Sequence, residues 1–179
     1  MNICVFGSAS DDIDKRYIEA VENLSEKLAN EGHNLVFGAG GCGLMGAAAR
    51  GFKKGGAKIV GVVPQYFKDH FVETLYEECD ELIYTEDMSE RKRIMVNKSD
   101  AFLITPGGLG TFDELFEILT LKQLHMMEKP IVIYNIDGYY DNIEELLDVA
   151  IKKKFINASC KDSYAYLGSD SEILDYINR

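Results

Sequence analysis

The chain has 179 residues, of which 46% are hydrophobic and 27% charged, and its formal net charge at pH 7 is -11. This length and composition are typical of one folded domain, spanning residues 1–179, and argue against a disordered chain. The negative charge repels nucleic acids and anionic membrane surfaces, so we expect neither as a partner.

Metal and membrane signals are absent from the sequence. The four cysteines are widely spaced, form no Cys-x-x-Cys pair, and are accompanied by only three histidines. No stretch approaches the roughly 18 apolar residues of a membrane span, and the first strand begins without a signal peptide. We therefore expect a cytoplasmic protein that holds no metal.

Short apolar runs alternate with longer helical patterns, which predicts βαβ units around a mainly parallel sheet with helices on both faces. The predicted strands are 3–6, 34–37, 58–63, 81–84, 101–105 and 131–134, with a short extended piece at 164–167. The predicted helices are 13–29, 44–54, 88–98, a long one from 109 or 111 to 127, 139–153 and 171–177. Residues 65–80 are predicted to form an irregular connection.

Glycine-rich loops follow the first, second and fifth predicted strands, at residues 6–8, 38–43 and 106–110. The carboxyl ends of parallel strands meet at one edge of an open sheet, where ligands bind at the point at which the strand order reverses. We therefore expect the three loops to converge on one crevice.

The loop after the fifth strand has the features of an anion site. The strand stops at Pro106, two glycines follow, and a helix begins near Thr111. Free N–H groups, the positive end of the helix dipole and the Thr111 hydroxyl would together attract a phosphate. The alternative is a glycine-rich turn that only connects strand to helix.

The loop after the second strand fits a Gly-x-Gly-x-x-Gly pattern at Gly38, Gly40 and Gly43. A dinucleotide site also needs an acidic residue at the end of the next strand to bind the ribose. That strand ends in VVP at 62–64, so a dinucleotide-dependent dehydrogenase is disfavoured.

Two charged residues have both a structural and a functional interpretation. Glu114 follows Thr111 at capping-box spacing and could simply start the helix. Arg91 lies near a helix N-terminus, where the dipole disfavours a cation, so it needs an anionic partner. That partner could be Glu86, Glu90 or an anionic ligand.

These segments resemble the LONELY GUY (LOG) family of cytokinin riboside 5'-monophosphate phosphoribohydrolases, many of which have been labelled lysine decarboxylases. The motifs that carry the resemblance are DMSERK at 87–92, DAF at 100–102 and PGGLGTFDE at 106–114. It extends over most of the chain, through FGS at 6–8, GGCGLMG at 40–46 and NIDGYY at 135–140. The sequence departs from the family pattern at Ser89, Ala39 and Leu121, in place of histidine, glycine and tryptophan.

The resemblance implies a Rossmann-like three-layer homodimer that uses no metal or organic cofactor. It places the family's catalytic arginine and glutamate on Arg91 and Glu114. The substrate-binding and phosphate-binding positions that it implies are Gly107, Gly108, Leu109, Gly110, Thr111, Lys92, Glu73, Thr120, Ser8 and Gly41.

The implied reaction is hydrolysis of the N-glycosidic bond of a cytokinin or adenine ribonucleoside 5'-monophosphate, giving free base and ribose 5-phosphate. A carboxylate such as Glu114 would stabilise the oxocarbenium-like sugar. Two alternatives remain: a carrier that binds a nucleotide or phosphorylated cofactor without hydrolysing it, and a structural or regulatory dimer with a vestigial pocket. The sequence does not distinguish prenylated adenine nucleotides from AMP as substrates.

Overall fold

A parallel sheet forms the centre of the protein in the computed structural model, which describes residues 1–70 and 74–179. Its seven described strands are arranged in the order β4-β3-β2-β1-β5-β6-β7. They are β1 (Asn2–Phe6), β2 (Asn34–Phe37), β3 (Ile59–Pro64), β4 (Glu81–Thr85), β5 (Ala101–Ile104), β6 (Ile131–Tyr134) and β7 (Ala165–Leu167).

The connections between the strands are mainly helical, as the alternating pattern predicts. The helices are α1 (Lys15–Asn30), α2 (Gly43–Lys54), α3 (Gln65–His70), α4 (Met88–Lys98), α5 (Leu109–Gln123), α6 (Asp141–Lys152) and α7 (Asp170–Ile177). Short 3-10 turns cover Ile136–Gly138 and Ala158–Ser163. Within the described ranges, every helix is too short or too polar to cross a membrane.

The sheet has a helical layer on each face, which makes the fold a three-layer Rossmann-like α/β architecture. Alternate residues of β1 point to opposite faces, as the period of a strand requires. Ile3 and Val5 pack with α1, α2 and α7, whereas Cys4 and Phe6 pack with α4, α5 and α6. Because both faces are covered, the inner strands are continuous apolar runs.

The strand order reverses between β1 and β5, which places the loops after these strands side by side. The Ser8 N–H donates to the Pro106 carbonyl at 3.0 Å, and the Leu44 N–H donates to the Ser8 carbonyl at 2.8 Å. The loops after β1, β2 and β5 therefore meet at the carboxyl edge of the sheet.

The structure differs from the predicted elements in two places. Residues 65–70 form α3 rather than part of an irregular connection. The long helix ends at Gln123, not at residue 127, because His125 adopts a left-handed conformation with φ of 55°. Residues 65–70 and 124–127 themselves contain no glycine or proline.

Candidate active site

A cavity of about 370 Å³ opens at the carboxyl edge of the sheet, beside the point where the strand order reverses. The loop after β1 and the first residues of α5 form one side, and residues of α2, α3 and α4 form the other. Its lining consists of Gly7, Ser8, Ala9, Met45, Phe67, Met88, Arg91, Gly108, Gly110, Thr111, Asp113 and Glu114.

Arg91 and Glu114 form a buried ion pair in the wall of this cavity. Their residues are only 5% and 9% exposed, and Arg91 Nη1 lies 3.3 Å from Glu114 Oε1. Arg91 Nε also donates to the Val62 carbonyl at the end of β3, at 3.1 Å. A charge buried this deeply is tolerated only when it is paired, so each residue constrains the other.

The second glycine loop makes room for the arginine. A Cβ atom on Gly38 would lie 1.8 Å from Arg91 Nη2, a separation that atoms not bonded to each other cannot adopt. Gly38 therefore contributes to the site by its lack of a side chain, not through the dinucleotide pattern.

The structure pairs the two charged residues with each other instead of with the neighbouring protein groups that the sequence suggested. Arg91 pairs with Glu114, whereas Glu90 accepts a hydrogen bond from the Glu86 N–H at 2.8 Å. The proposed capping box at Thr111 is also wrong, because α5 begins at Leu109 with Gly108 as its N-cap. Thr111 lies inside the first turn, and the Glu114 carboxylate faces Arg91.

The start of α5 has the geometry of an anion site. Gly108, Gly110 and Thr111 line the cavity, and the first N–H groups of a helix have no acceptor within that helix. They concentrate partial positive charge beside the buried ion pair. Residue 107 must be a glycine for Thr111 to keep its position, since a Cβ atom at residue 107 would lie 2.1 Å from the Thr111 hydroxyl oxygen.

The other expected binding residues lie in different places. Ser8 lines the cavity, but Leu109 is 87% exposed and is not part of its lining. The Gly41 N–H donates to the Thr74 carbonyl at 2.7 Å, outside the lining. Glu73 lies outside the described residues.

Two further predicted contacts lie outside the lining of the cavity. Lys92 Nζ pairs with Asp113 Oδ2 at 3.0 Å and with Glu117, so its charge joins α4 to α5. Thr120 is exposed further along α5, where its hydroxyl donates to the Phe116 carbonyl at 2.7 Å.

Sequence reasoning missed several residues of the lining, namely Ala9, Met45, Phe67, Met88 and Asp113. Met88 had a recoverable signal, because it precedes Arg91 by three residues and therefore shares its helix face. Its Sδ lies 4.0 Å from Arg91 Nη1. Phe67 had none, since the helix that carries it was not predicted.

Burial determines the protonation state of the Cys4 thiol, which lies in β1. It raises the pKa of the Cys4 thiol, and the negative charge of Glu114 raises that pKa further, so Cys4 remains a neutral thiol. Across residues 1–70 and 74–179, no three His, Cys, Asp or Glu side chains are grouped as a metal site would require.

Comparison with known proteins identifies relatives across almost the whole chain. Residues 45–177 match the family described as "Possible lysine decarboxylase". A probable cytokinin riboside 5'-monophosphate phosphoribohydrolase from Oryza sativa subsp. japonica is 34% identical over 175 residues, which cover 98% of this chain and 69% of the relative. A cytokinin riboside 5'-monophosphate phosphoribohydrolase from Arabidopsis thaliana is 34% identical over 160 residues, covering 89% of this chain and 74% of that protein.

Solved structures share the architecture at much lower identity. The molybdenum cofactor carrier protein from Chlamydomonas reinhardtii superposes with a TM-score of 0.74 at 20% identity, covering 99% of this chain and 95% of the carrier. That likeness establishes the fold alone. The sequence relatives and the matched region together show that this chain is a member of the LONELY GUY family, the group also described as possible lysine decarboxylases.

Proposed function

We propose that the protein hydrolyses the N-glycosidic bond of adenine or cytokinin ribonucleoside 5'-monophosphates, releasing free base and ribose 5-phosphate. The observation that carries this proposal is the buried Arg91–Glu114 pair in a cavity that also contains the start of α5. The names of relatives about 34% identical to the chain support the same reaction.

The phosphate of the substrate would bind at Gly108, Gly110 and Thr111, where helix N–H groups and the helix dipole attract an anion. Ser8, Gly107 and the backbone of Leu109 complete this loop in the proposal. Binding of the phosphate, which does not react, supplies energy that positions the sugar over the carboxylate.

Glu114 is the proposed catalytic carboxylate. As the bond between C1' and the base nitrogen breaks, its electron pair leaves with the base and the sugar becomes oxocarbenium-like. Negative charge beside C1' stabilises that state, and the carboxylate polarises the water whose hydroxyl adds to C1'. The departing base takes up one proton, so one water molecule is consumed.

Arg91 is the proposed second catalytic residue. Its Nη1 donates to Glu114, and its guanidinium can donate charge-assisted hydrogen bonds to the substrate as well. Lys92, Gly41, Thr120 and Glu73 remain proposed substrate contacts from the family resemblance. In the structure Lys92 Nζ pairs with Asp113 and Glu117, and Lys92, Gly41 and Thr120 lie outside the lining of the cavity.

Two other activities receive less support. Among the described side chains that line the cavity, none is a lysine able to form a Schiff base with pyridoxal phosphate, so the site does not support lysine decarboxylation. A carrier of nucleotides or phosphorylated cofactors needs an anion loop but no carboxylate beside the sugar. The buried Glu114 therefore favours turnover.

We further propose that the protein acts as a cytoplasmic homodimer. Helix α5 and the turn after it expose Phe116, Leu124 and Met126, and contiguous apolar surface of this kind is typical of association sites. The area needed for a stable dimer, about 800 Å² from each partner, would have to include neighbouring parts of this face.

The direct test is incubation of the purified protein with AMP and, separately, with isopentenyladenosine 5'-monophosphate. Free base and ribose 5-phosphate should accumulate in equal amounts, as measured by chromatography. The matched controls are adenosine and isopentenyladenosine, which lack the phosphate and should be hydrolysed far more slowly. Tight binding of both nucleotides without release of base would support the carrier alternative instead.

A further inference from the structure

Three consecutive carbonyl groups in the loop after β5 each accept a hydrogen bond from a different donor. The Thr105 carbonyl accepts from the Tyr140 hydroxyl at 2.7 Å, and the Gly107 carbonyl accepts from the Tyr139 hydroxyl at 2.6 Å. Between them, the Pro106 carbonyl accepts from the Ser8 N–H at 3.0 Å. The backbone of the loop is therefore fixed at every peptide from residue 105 to residue 108.

Both tyrosines belong to the NIDGYY segment at 135–140, which contacts the loop after β5. Asp137 and Gly138 adopt left-handed conformations, with φ of 51° and 73°, which turn the chain back towards β5. The Asn135 side chain then accepts from the Tyr140 N–H at 2.7 Å. Two adjacent tyrosine rings consequently lie perpendicular to each other, with centroids 5.0 Å apart.

The two tyrosines occupy different environments. Tyr140 is fully buried, and this burial, together with Tyr139 and Glu114, raises the pKa of its hydroxyl, so that it remains a donor. Tyr139 is 40% exposed and lines a second cavity of about 270 Å³ beside the loop. Gly107 borders that second cavity, and Gly108 borders both.

The hydrogen bond from Tyr139 to the Gly107 carbonyl also fixes the direction of the Gly108 N–H, because both groups belong to the same planar peptide. In a trans peptide the C=O of one residue and the N–H of the next point in opposite directions. When the Gly107 carbonyl points to Tyr139, the Gly108 N–H points away from Tyr139. Gly107 and Gly108 have no Cβ to restrict rotation of this peptide, so an external restraint is needed to hold it.

We propose that Tyr139 is a positioning residue for phosphate recognition, whose hydroxyl holds the Gly107–Gly108 peptide with its N–H directed at the 5'-phosphate. This inference rests on the proposed function, since it assigns the phosphate to the start of α5. Tyr139 acts through the backbone, since it lines the second cavity and not the cavity that contains Arg91 and Glu114. The part of the substrate that it affects is therefore the phosphate, not the base.

The test compares Tyr139→Phe with the wild type in binding of ribose 5-phosphate and of adenine, measured separately by inhibition of AMP hydrolysis and by calorimetry. Loss of the hydroxyl should weaken ribose 5-phosphate binding about tenfold, the effect of one hydrogen bond, and leave adenine binding unchanged. The KM for AMP should rise by a similar factor, while kcat changes by less than about threefold.

Tyr17→Phe is the matched control. Tyr17 lines the same second cavity and packs edge-on against Tyr139, with ring centroids 6.4 Å apart. The Tyr17→Phe substitution removes a hydroxyl from the same cavity but keeps the hydrogen bond from Tyr139 to the Gly107 carbonyl. The affinity of this variant for ribose 5-phosphate should therefore equal that of the wild type. Melting temperatures of both variants should stay within about 3 °C of the wild type, because neither change removes core packing.

The outcomes separate this inference from the proposed function. If Tyr139→Phe binds ribose 5-phosphate as tightly as the wild type, or loses affinity for adenine to the same extent, the positioning role is wrong. If the wild type releases no base but binds ribose 5-phosphate through Tyr139, the proposed hydrolysis fails and the positioning role stands. Absence of ribose 5-phosphate binding to the wild type would overturn both.

Discussion

Glu114 and Arg91 are held together by burial, and the consequences of changing either are therefore both structural and chemical. Removing one charge leaves the other inside the protein without its partner, which typically costs about 3 kcal/mol or more. A variant that keeps the shape and an acceptor oxygen separates the two effects better than a truncation. Stability and turnover must be measured on the same sample.

Glu114→Gln is expected to reduce base release from AMP by about 100-fold or more, because it removes the negative charge that stabilises the oxocarbenium-like sugar. The amide oxygen can still accept from Arg91, so the protein should remain folded with a lowered melting temperature. Chromatography of free adenine and circular dichroism provide the two measurements.

Glu117→Gln serves as the control for Glu114→Gln. Glu117 lies almost one turn further along α5 and pairs with Lys92 outside the cavity. This variant should hydrolyse AMP at close to the wild-type rate. If Glu114→Gln also retains the wild-type rate, Glu114 has only a structural role and the proposed mechanism is wrong.

Gly38→Ala should lower activity without adding or removing a charge. The new methyl group would overlap Arg91 Nη2, so the guanidinium must leave its observed position, in which it contacts Glu114 and the Val62 carbonyl. We expect kcat to fall by at least about tenfold, because a small displacement of a catalytic group has a large effect on rate.

Gly168→Ala is a suitable comparison for Gly38→Ala, since the nearest atom to a Cβ at residue 168 is the Asn135 carbonyl oxygen at 3.9 Å. Its steady-state kinetics should match those of the wild type. Unchanged kinetics of Gly38→Ala would show that Arg91 does not need its observed position for turnover.

Sequence reasoning found the residues of the ion pair but not the pairing. Arg91 and Glu114 are 23 positions apart, and only the packing of α4 against α5 brings them together. Glu86 and Glu90 were candidates only because they are close to Arg91 in the sequence, five positions and one position before it. The role of Tyr139 could not be predicted either, since nothing in a sequence indicates which carbonyl a tyrosine hydroxyl will reach.

At the scale of elements, the position of Arg91 depends on how α4 begins. The Asp87 side chain accepts from the Glu90 N–H at 2.7 Å and caps this helix, whereas Ser169 and Glu172 form a capping box at the start of α7. Of these two capped helices, only α4 carries a residue of the cavity. Comparing them separates loss of stability from loss of function.

Asp87→Ala and Ser169→Ala should each lower the free energy of unfolding by about 1 kcal/mol, the usual cost of losing an N-cap. Only Asp87→Ala should also lower kcat/KM for AMP, because the first turn of α4 presents Arg91. Urea unfolding and steady-state kinetics on both variants check this. Equal kinetics in the two variants would contradict a link between the α4 cap and the site.

Helices α1 and α2 are joined by Glu22, whose carboxylate accepts from Arg50 and Lys54. Partial burial alone would raise the pKa of Glu22, but these two cations together lower it below the ordinary value of 4.5. A carboxylate with a lowered native pKa stabilises the fold above its unfolded pKa and loses that contribution as the pH falls through the native value.

Glu22→Gln should therefore be less stable than the wild type at pH 7, and the difference should shrink as the pH falls below 4.5. Urea denaturation at a series of pH values measures this. Glu19→Gln, an exposed change on the same helix, should show no such trend. A stability difference for Glu22→Gln that does not change with pH would contradict this assignment.

Most elements could be predicted because the apolar periodicity of buried strands and amphipathic helices is strong. The start and end of α4, at Met88 and Lys98, agree with the prediction at both ends. Helix α3 was missed because it is only six residues long and contains too few apolar positions to show a period. The end of α5 was misplaced because His125 stops it through its backbone conformation, not through its residue type.

At the scale of the whole molecule, the exposed apolar face of α5 leads to a prediction about assembly. Phe116→Glu should convert a dimer into a monomer, because it places a charge in the proposed interface. Light scattering should give twice the chain mass of 20.1 kDa for the wild type and 20.1 kDa for the variant.

Phe155→Glu makes the same change at a phenylalanine that is 83% exposed after α6. It should leave the mass of the assembly unaltered. A wild-type protein of 20.1 kDa at micromolar concentration would contradict the dimer, and loss of association in both variants would contradict the assignment of the interface to α5.

The strand order also divides the sheet into two halves that are each continuous in sequence. Strands β1 to β4 lie on one side and β5 to β7 on the other, and within the sheet only the β1–β5 pairing joins them. During synthesis, the half of the sheet that contains β1 to β4 leaves the ribosome before the half that contains β5 to β7. The loop at residues 105–108 follows β5, and the two tyrosines that donate hydrogen bonds to it, Tyr139 and Tyr140, follow β6. If phosphate binds at this loop as proposed, a nascent chain gains that site only after β5 to β7 have packed beside β1, and a ligand that contacts both Ser8 and Gly108 would then link the two halves of the sheet.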